Sequence, residues 1–377
     1  MEKNDLYHPG LEGVIAGKSN ICKVDSENSR LLYRGYSIVD LAEHSNFEET
    51  VYLLIKGALP KRDELADFIK TMKDERRIPE QLIRMFCGFP KRANSMDVLR
   101  AGVSFLALFD DEEFDNSHEA NVRKAVKLTA KFTTIMAASH RIAHGKKPVE
   151  PSPEYSHAGN FLYMVNGSIP DDFIVRAFDI SLVLYAEHEY NASTFTALVT
   201  ASTLADIYSA VIAGICALKG PLHGGANEKA MEMLLKIGDE GNVEKWLKDA
   251  LARKEKIMGF GHRVYKKGDP RALILKDLCK ELGKRTNQTK WYNMSVEVEE
   301  IMEKEKNLHP NVDFYAGSLF YMMGIPIELY TPIFTIARIA GWSAHVIEQH
   351  DDNRLIRPAS EYTGPDLRPY VPIENRA

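Results

Sequence analysis

The sequence has few of the features that mark disulfide-rich or nucleic-acid-binding proteins. Its 377 residues include four cysteines, which lie far apart and form no CxxC pair: Cys22, Cys87, Cys216 and Cys279. Cysteines spaced in this way are typical of reduced thiols and argue against a disulfide framework or a thiolate zinc site. Basic residues are not in excess, because the formal net charge is −5 and the cations are spread along the chain. We therefore expect no nucleic-acid partner.

Long hydrophobic segments are missing as well. The first ten residues, MEKNDLYHPG, contain no apolar signal core. The most apolar run, residues 197–218, is interrupted by Ser202, Asp206 and Ser209. A membrane-spanning helix needs about 20 predominantly apolar residues. We therefore expect a cytoplasmic protein with no membrane partner.

What the chain does contain is the composition and periodicity of a mainly α globular protein. Hydrophobic residues make up 45% of it and charged residues 27%, and its length suggests two domains. Helical spacing predicts one long helix over residues 193–220 and another from Thr331 to about Gln349. Residues 13–35 are the exception, since their short apolar runs and turn residues predict a small β hairpin.

The segment GPLHGGANEK, residues 220–229, places His223 directly before a predicted helix. The positive end of a helix dipole disfavours an imidazolium. A neutral imidazole can donate a hydrogen bond to a carbonyl or enolate oxygen, and Gly224 and Gly225 would let a substrate reach the backbone. The alternative is a helix-start turn that happens to carry a histidine.

A second unusual segment, KIMGFGHRVYKKGDPRA, spans residues 256–272 and brings Gly259 and Gly261 next to His262. A nicotinamide-dependent enzyme is one alternative that the glycines suggest. The pattern lacks the third glycine of a dinucleotide-binding motif, and no strand–helix unit surrounds it. It therefore gives that alternative little support.

Three arginines lie where a positive charge needs a partner. Arg271 falls in the first turn of a helix predicted to start at Asp269-Pro270, where a cation is disfavoured by about 0.3–1 kcal/mol. Arg338 and Arg357 have apolar neighbours, and a buried guanidinium must be paired. Because the guanidinium fork matches carboxylate geometry, the three predict a receptor for a small polycarboxylate. An internal carboxylate, or solvation of Arg271, is the alternative.

Two further segments contain groups that could act in chemistry. Asp313 precedes an apolar helical run, so it either caps this helix or serves, in its ionised form, as a base. The segment HVIEQH offers His345, Glu348 and His350 as metal ligands, but the spacing is not HExxH and no other cluster supports it. We expect no metal site there.

Taken together, five segments resemble the citrate synthase family in order and spacing: LYAEHEYNAST (184–194), GPLHGGANE (220–228), MGFGHRVYKKGDPR (258–271), PNVDFYAG (310–317) and RLIRP (354–358). The resemblance implies an enzyme that condenses an acyl-CoA with oxaloacetate and hydrolyses the thioester. It implies a helical two-domain fold, with residues 1–222 plus 328–377 as the large domain and 223–327 as a small domain that closes over the substrates. A homodimer is expected, with residues 193–220 in its core.

The resemblance also assigns roles to residues. Asp313 matches the general base, His223 the group that polarises the thioester carbonyl, and His262 the group that protonates the oxaloacetate carbonyl. The positions that match oxaloacetate-binding residues are His188, Arg271, Arg338 and Arg357, the last supplied across the dimer interface. The positions that match CoA-binding residues are Lys256, Ile257, Met258, Gly259, Phe260, Gly261, Lys266 and Asn311. Neither a metal nor a cofactor is implied, since arginines and histidines supply the electrophilic stabilisation.

The identity of the acyl donor stays open, because one methyl group is worth only about 1–3 kcal/mol of discrimination in a pocket. Several segments, including KNLHPNVDFYAG and IEQHDDNRLIRPASEY, resemble the short bacterial methylcitrate branch. They favour a 2-methylcitrate synthase of propionate metabolism, which uses propionyl-CoA and retains citrate synthase activity. A dedicated citrate synthase of the tricarboxylic acid cycle, using acetyl-CoA, is the alternative. A non-catalytic relative that binds CoA or dicarboxylates is a more distant one.

Overall fold

The computed structural model describes residues 7–169, 171–262, 265 and 268–376. In these ranges α-helices dominate and one small antiparallel sheet is present, which confirms the predicted mainly α fold. The strands, paired in the order β1-β2-β3, are β1 (Cys22–Asp25), β2 (Arg30–Tyr33) and β3 (Tyr36–Ser37). The helices are α1 (Ile38–His44), α2 (Phe47–Lys56), α3 (Arg62–Asp74), α4 (Glu80–Cys87), α5 (Ser95–Ala107), α6 (His118–Ala143), α7 (His157–Asn166), α8 (Asp172–Tyr185), α9 (Ala192–Ala201), α10 (Ile207–Leu218), α11 (Ala226–Ile237), α12 (Val243–Ala252), α13 (Pro270–Arg285), α14 (Thr289–Lys306), α15 (Val312–Met322) and α16 (Tyr330–Asp351).

The sheet holds the end of α8 in place. The predicted hairpin is a three-stranded meander that starts at Cys22, later than the sequence suggested. Tyr33, the last residue of β2, is fully buried, and its hydroxyl donates to the carbonyl of Glu187 at 2.9 Å. The amide of Glu187 donates back to the same hydroxyl at 3.1 Å. These two bonds fix the segment that follows α8.

Two predicted helices have different bounds in the structure. Residues 193–220 form two helices, α9 and α10, that pack against each other. The break comes where the side chain of Asp206 caps α10 by accepting the amide of Ser209 at 2.9 Å. The apolar spacing continues through this break, so periodicity alone could not reveal it. Helix α16 begins at Tyr330 rather than after Thr331, whose side chain instead contacts Glu228.

Helix α16 is the central element of the core. Every residue from Tyr330 to Ile347 is buried, as expected for a helix that other helices surround. Where it passes the end of α8, the amide of Gly341 donates to the carbonyl of Ala186 at 3.2 Å. Across the described residues, no helix is long and apolar enough to cross a bilayer.

The close approach at Gly341 predicts a large effect of one added methyl group. A Cβ at this position would lie 2.6 Å from the Ala186 carbonyl oxygen and would overlap the carboxylate of Glu187. We expect Gly341→Ala to lower the free energy of unfolding by about 3 kcal/mol, because a packed core resists extra volume. The matched control is Gly241→Ala, where a Cβ meets nothing within 4 Å. Equal urea midpoints for the two variants would contradict this packing.

Candidate active site

The last turn of α8 brings together the groups of the candidate site. The hydroxyl of Tyr185 donates to Oδ1 of Asp313 at 2.8 Å. The Tyr185 carbonyl accepts Nε of Arg338 at 2.8 Å, and the Leu184 carbonyl accepts Nη1 of Arg271 at 3.5 Å. Carbonyls at a helix C-terminus lack intrahelical partners and carry the negative end of the dipole. Helix α8 therefore offers acceptors to two guanidinium groups.

Arg271 is buried, so the alternative of a solvated arginine is wrong. Its Nε and Nη2 donate to the two carboxylate oxygens of Asp269 at 2.9 and 2.8 Å. Burial alone lowers the pKa of Arg271, but the charge of Asp269 outweighs this effect and the pKa is raised. Asp269 also accepts the amide of Val312 at 3.2 Å, which joins the starts of α13 and α15. Arg271 thus has an internal carboxylate partner.

Arg338 is buried with an incomplete set of partners. Only 1% of the residue is exposed, and its guanidinium carbon lies 4.8 Å from the centre of the Phe334 ring. Within the described part of the chain, its Nη1 finds no hydrogen-bond partner. Burial lowers the pKa of Arg338, while the charge of Glu187 opposes this effect. A buried guanidinium with an unused donor is able to donate to an anionic ligand.

Asp313 lies in the first turn of α15, but it does not cap that helix. The N-cap is Asn311, whose side chain accepts the amide of Asp313 at 3.0 Å. Burial raises the pKa of Asp313 from 3.8 to about 6, against the hydrogen bond from Tyr185 and the charge of Arg271. A buried carboxyl whose pKa lies near neutrality is suited to general-base catalysis.

His223 lies in the turn before α11, as predicted. Its Nε2 is 2.8 Å from Oγ of Ser193 and accepts the Ser193 amide at 3.3 Å, which leaves the proton of the neutral ring on Nδ1. Burial, and then the charge of Arg338, lower the pKa of His223 to about 4. Burial and the charge of Arg338 therefore favour the neutral imidazole that the sequence predicts.

Two groups in this region were missed by sequence reasoning. Ser193 holds His223, and its Oγ also accepts Nε1 of Trp342 at 3.1 Å. Tyr185 holds Asp313 through the hydroxyl described above. Both lie within the segment LYAEHEYNAST, which was singled out only as a motif. No local signal identifies these two residues, because their partners are 30 and 128 positions away in the sequence.

His188 and His262 face each other with ring centroids 5.1 Å apart. The amide of Tyr265 donates to Nδ1 of His262 at 3.1 Å, so the neutral His262 ring carries its proton on Nε2. Burial, and then the charge of Arg271, hold the pKa of His188 well below its ordinary value. His188 is thus a neutral group beside an arginine, consistent with its predicted place in an anion site.

The strip that the resemblance assigned to CoA pairs with the residues directly before α15. The amide of Gly261 donates to the carbonyl of His309, and the amide of Asn311 to that of Gly259, both at 2.9 Å. Gly259 has a φ of 83°, and a Cβ there would lie 2.8 Å from the Cβ of Phe314. This close packing accounts for the first glycine without a ligand.

The other predicted CoA positions differ in their surroundings. Lys256 is exposed, Met258 is partly exposed, and Ile257 and Phe260 are buried. Lys266 lies outside the described residues. Contact of this strip with CoA stays a prediction.

Arg357 and the histidines of the HVIEQH segment lie apart from the groups described above. Arg357 is exposed among residues 353–372, which form no helix or strand, so the expected apolar surroundings are absent from the described part of this single chain. The histidine side chains of the HVIEQH segment, which were considered as metal ligands, have partners in different places. His345 Nε2 is 3.0 Å from Oε1 of the buried Glu187, while His350 Nδ1 is 2.9 Å from Nδ2 of Asn121.

Comparison with known proteins settles the family. The profile described as "Citrate synthase, C-terminal domain" matches residues 10–359. The chain belongs to the citrate synthase family. It is accordingly an acyltransferase of the type that condenses an acyl-CoA with oxaloacetate.

Relatives and solved structures agree over almost the whole chain. Citrate synthase 2 of Bacillus subtilis is 49% identical, over 98% of this chain and 99% of the relative. The citrate/2-methylcitrate synthase of the same organism is 45% identical, over 97% and 98%. Citrate synthase from Thermoplasma acidophilum, solved in a ternary complex with carboxymethyl coenzyme A and oxaloacetate, superposes with a TM-score of 0.92 at 34% identity and covers 98% of this chain and 99% of its own. The predicted resemblance is confirmed.

The raised pKa of Asp313 predicts how stability depends on pH. At a pH between the pKa of Asp313 in the unfolded chain and its pKa in the folded chain, only the folded chain keeps the Asp313 proton. The contribution of this proton to the free energy of unfolding therefore falls as the pH rises through about 6. Once lost, this contribution amounts to about 3 kcal/mol. Asp313→Asn keeps an acceptor for Tyr185 and cannot ionise. Its stability advantage over the unchanged protein should therefore grow from about pH 4 to about pH 8 in urea denaturation.

The matched control for this experiment is Asp366→Asn, which changes an exposed carboxyl. Its effect should be small at both pH values, because surface substitutions usually change stability by less than about 0.5 kcal/mol. An advantage of Asp313→Asn that stays constant with pH would contradict the raised pKa.

Proposed function

We propose that this protein binds oxaloacetate at Arg338, Arg271 and His188, condenses it with an acyl-CoA, and hydrolyses the thioester product. The observation that carries the proposal is the buried Nη1 of Arg338, which has no partner among the described residues. A carboxylate of oxaloacetate would accept from this donor in a charge-assisted hydrogen bond. Asp269 occupies one side of Arg271, so Arg338 is the arginine whose pairing depends most on the substrate.

The condensation needs a base, and Asp313 is placed for this role. Its carboxylate would remove a proton from the carbon next to the thioester, and its pKa of about 6 leaves it largely ionised at neutral pH. The Tyr185 hydroxyl, by donating to Oδ1, fixes which way the carboxylate faces. Neutral His223 would donate a hydrogen bond to the enolate oxygen that forms.

The second half of the reaction needs an acid. The enolate carbon forms a bond with the carbonyl carbon of oxaloacetate, and His262 would give that carbonyl oxygen its proton from Nε2. The amide of Tyr265 on Nδ1 holds His262 in this tautomer. Water then cleaves the thioester of the condensed intermediate, which releases CoA and a tricarboxylic acid.

Assembly and closure complete the proposal. Residues 223–327 would move as a small domain over residues 1–222 and 328–377, which excludes water from the intermediate. The protein would act as a homodimer, with Arg357 reaching the partner subunit's site. The C-terminal segment supports this arrangement, because it exposes large apolar side chains on a single chain: Leu355, Tyr362, Leu367, Tyr370 and Ile373. Large apolar side chains exposed in this number along one segment are typical of an interaction surface.

For the acyl donor we propose propionyl-CoA, with acetyl-CoA used as well, which makes the protein a 2-methylcitrate synthase with citrate synthase activity. The sequence segments described above support this choice, and one relative is named for both products. The competing choice is a dedicated citrate synthase, the name carried by the 49% identical relative.

Release of CoA thiol in the presence of oxaloacetate tests the proposal directly. We expect kcat/KM to be higher with propionyl-CoA than with acetyl-CoA, by up to the roughly 10–200-fold that one methyl group can supply. A preference for acetyl-CoA would establish the competing choice. In Asp313→Ala, turnover should fall by about 10²–10⁴-fold because the base is missing, while oxaloacetate still binds.

The control separates catalysis from binding. Calorimetry of Asp313→Ala with oxaloacetate should give an affinity close to that of the unchanged protein. Turnover that survives in Asp313→Ala would remove this residue from the mechanism. If the unchanged protein turns over neither thioester, the non-catalytic alternative replaces the proposal.

A further inference from the structure

Three side chains outside the candidate active site converge at the end of α6. His140 and His144 are one helical turn apart, with ring centroids separated by 4.3 Å. Glu328 reaches them from the short 3-10 turn before α16. Its Oε1 is 3.4 Å from Nδ1 of His140 and 3.5 Å from Nε2 of His144. The three ligand atoms lie within 4.8 Å of one another.

The orientation of His144 shows what faces the carboxylate. Its Nδ1 is 2.9 Å from the carbonyl oxygen of His140. A carbonyl can only accept, so the proton of the neutral ring lies on Nδ1 and the lone pair on Nε2. The Nε2 atom and Glu328 Oε1 are then two acceptors that face each other, which a cation between them would stabilise. Histidines that bind metals usually donate their other ring proton to such a carbonyl or carboxylate.

His140 occupies a more protected position. Only 10% of its side chain is exposed. The side chains of His144 and Glu328 are half exposed, which gives an ion a path of entry.

The spacing agrees with a tetrahedral ion. Two ligand atoms bonded to Zn²⁺ at about 2.05 Å in tetrahedral geometry are roughly 3.3 Å apart. The two histidine–carboxylate separations, 3.4 and 3.5 Å, are close to this value and longer than good hydrogen bonds. The geometry points to a binding site for a divalent transition-metal ion of the Zn²⁺ class, held by His140, His144 and Glu328 with water as the remaining ligand.

The position of the site gives the ion a structural consequence. Glu328 lies just before α16, at the border between the proposed small domain and the last segment of the large one. His140 lies in the last turn of α6, and His144 is the residue that caps its C-terminus. A bound ion would therefore connect the end of α6 to the border residues about which the small domain would rotate as it closes. None of the three ligands is among the proposed catalytic or substrate-binding residues.

Calorimetric titration of the full-length, chelator-treated protein with Zn²⁺ tests the site, and Co²⁺ absorption reports on tetrahedral coordination. We expect one ion per chain in the unchanged protein. Affinity should fall at least about tenfold in His144→Ala and in Glu328→Gln, because each removes one ligand. His118→Ala is the matched control, since His118 is a half-exposed histidine 2.9 Å from the Asp351 carboxylate, and it should bind as the unchanged protein does.

Two further readouts keep the result unambiguous. Both ligand variants should unfold at nearly the same temperature as the unchanged protein in the presence of chelator, which separates ligand loss from misfolding. Zn²⁺ should raise the unfolding temperature of the unchanged protein and of His118→Ala. It should not raise the unfolding temperature of His144→Ala or Glu328→Gln. Failure to bind one ion per chain would overturn the proposal. So would equal binding in the ligand variants, because the ion would then lie elsewhere, for instance at the exposed thiols of Cys87 and Cys216.

Discussion

Two buried guanidinium groups donate to the C-terminal carbonyls of one helix, and the other groups of the candidate active site are arranged around them. Burial of a cation costs several kcal/mol unless nearby groups compensate for it. Arg271 is compensated by Asp269, whose two carboxylate oxygens both accept hydrogen bonds from it. Arg338 instead donates to a backbone carbonyl, packs against the Phe334 ring and lies near the charge of Glu187. The positive charge that remains contributes to the low pKa values of His188 and His223 and opposes the rise of that of Asp313. The charges that would bind a dicarboxylate therefore act, together with the larger effect of burial, on the pKa values of these three groups.

The frame around these groups holds them by close contacts between distant parts of the chain. Gly341 lets α16 approach the segment after α8, and the buried Glu187 pairs with His345 on the same helix. Tyr33 binds that segment from the sheet side. Arg338 lies one turn before Gly341, so its direction follows from this packing. A rigid second layer of this kind is what keeps a catalytic arrangement in place.

The sequence predicts those parts of the molecule that depend on neighbouring residues. Asp269 and Pro270 mark a helix start because capping is a local interaction, and the structure confirms it. Asp313 was ambiguous from local patterns, because Asn311 and Asp313 both precede an apolar run. The buried state of Arg338 follows from its apolar neighbours, but its partners do not. Tyr185 and Ser193 contact side chains far away in the sequence. The role proposed for Arg357 depends on a second chain, so neither kind of role can be read from local spacing.

The Nη1 donor of Arg338 is the group at which we propose that a carboxylate of oxaloacetate binds. The decisive measurement is the Kd of oxaloacetate, by calorimetry without acyl-CoA, for the unchanged protein and for Arg338→Lys. Lysine keeps the charge but loses the planar fork, so binding should weaken by about 30-fold, which corresponds to about 2 kcal/mol. Arg253→Lys, at a surface ion pair with Glu255, should change nothing. An Arg338→Lys protein that binds oxaloacetate as tightly as the unchanged protein would contradict the account.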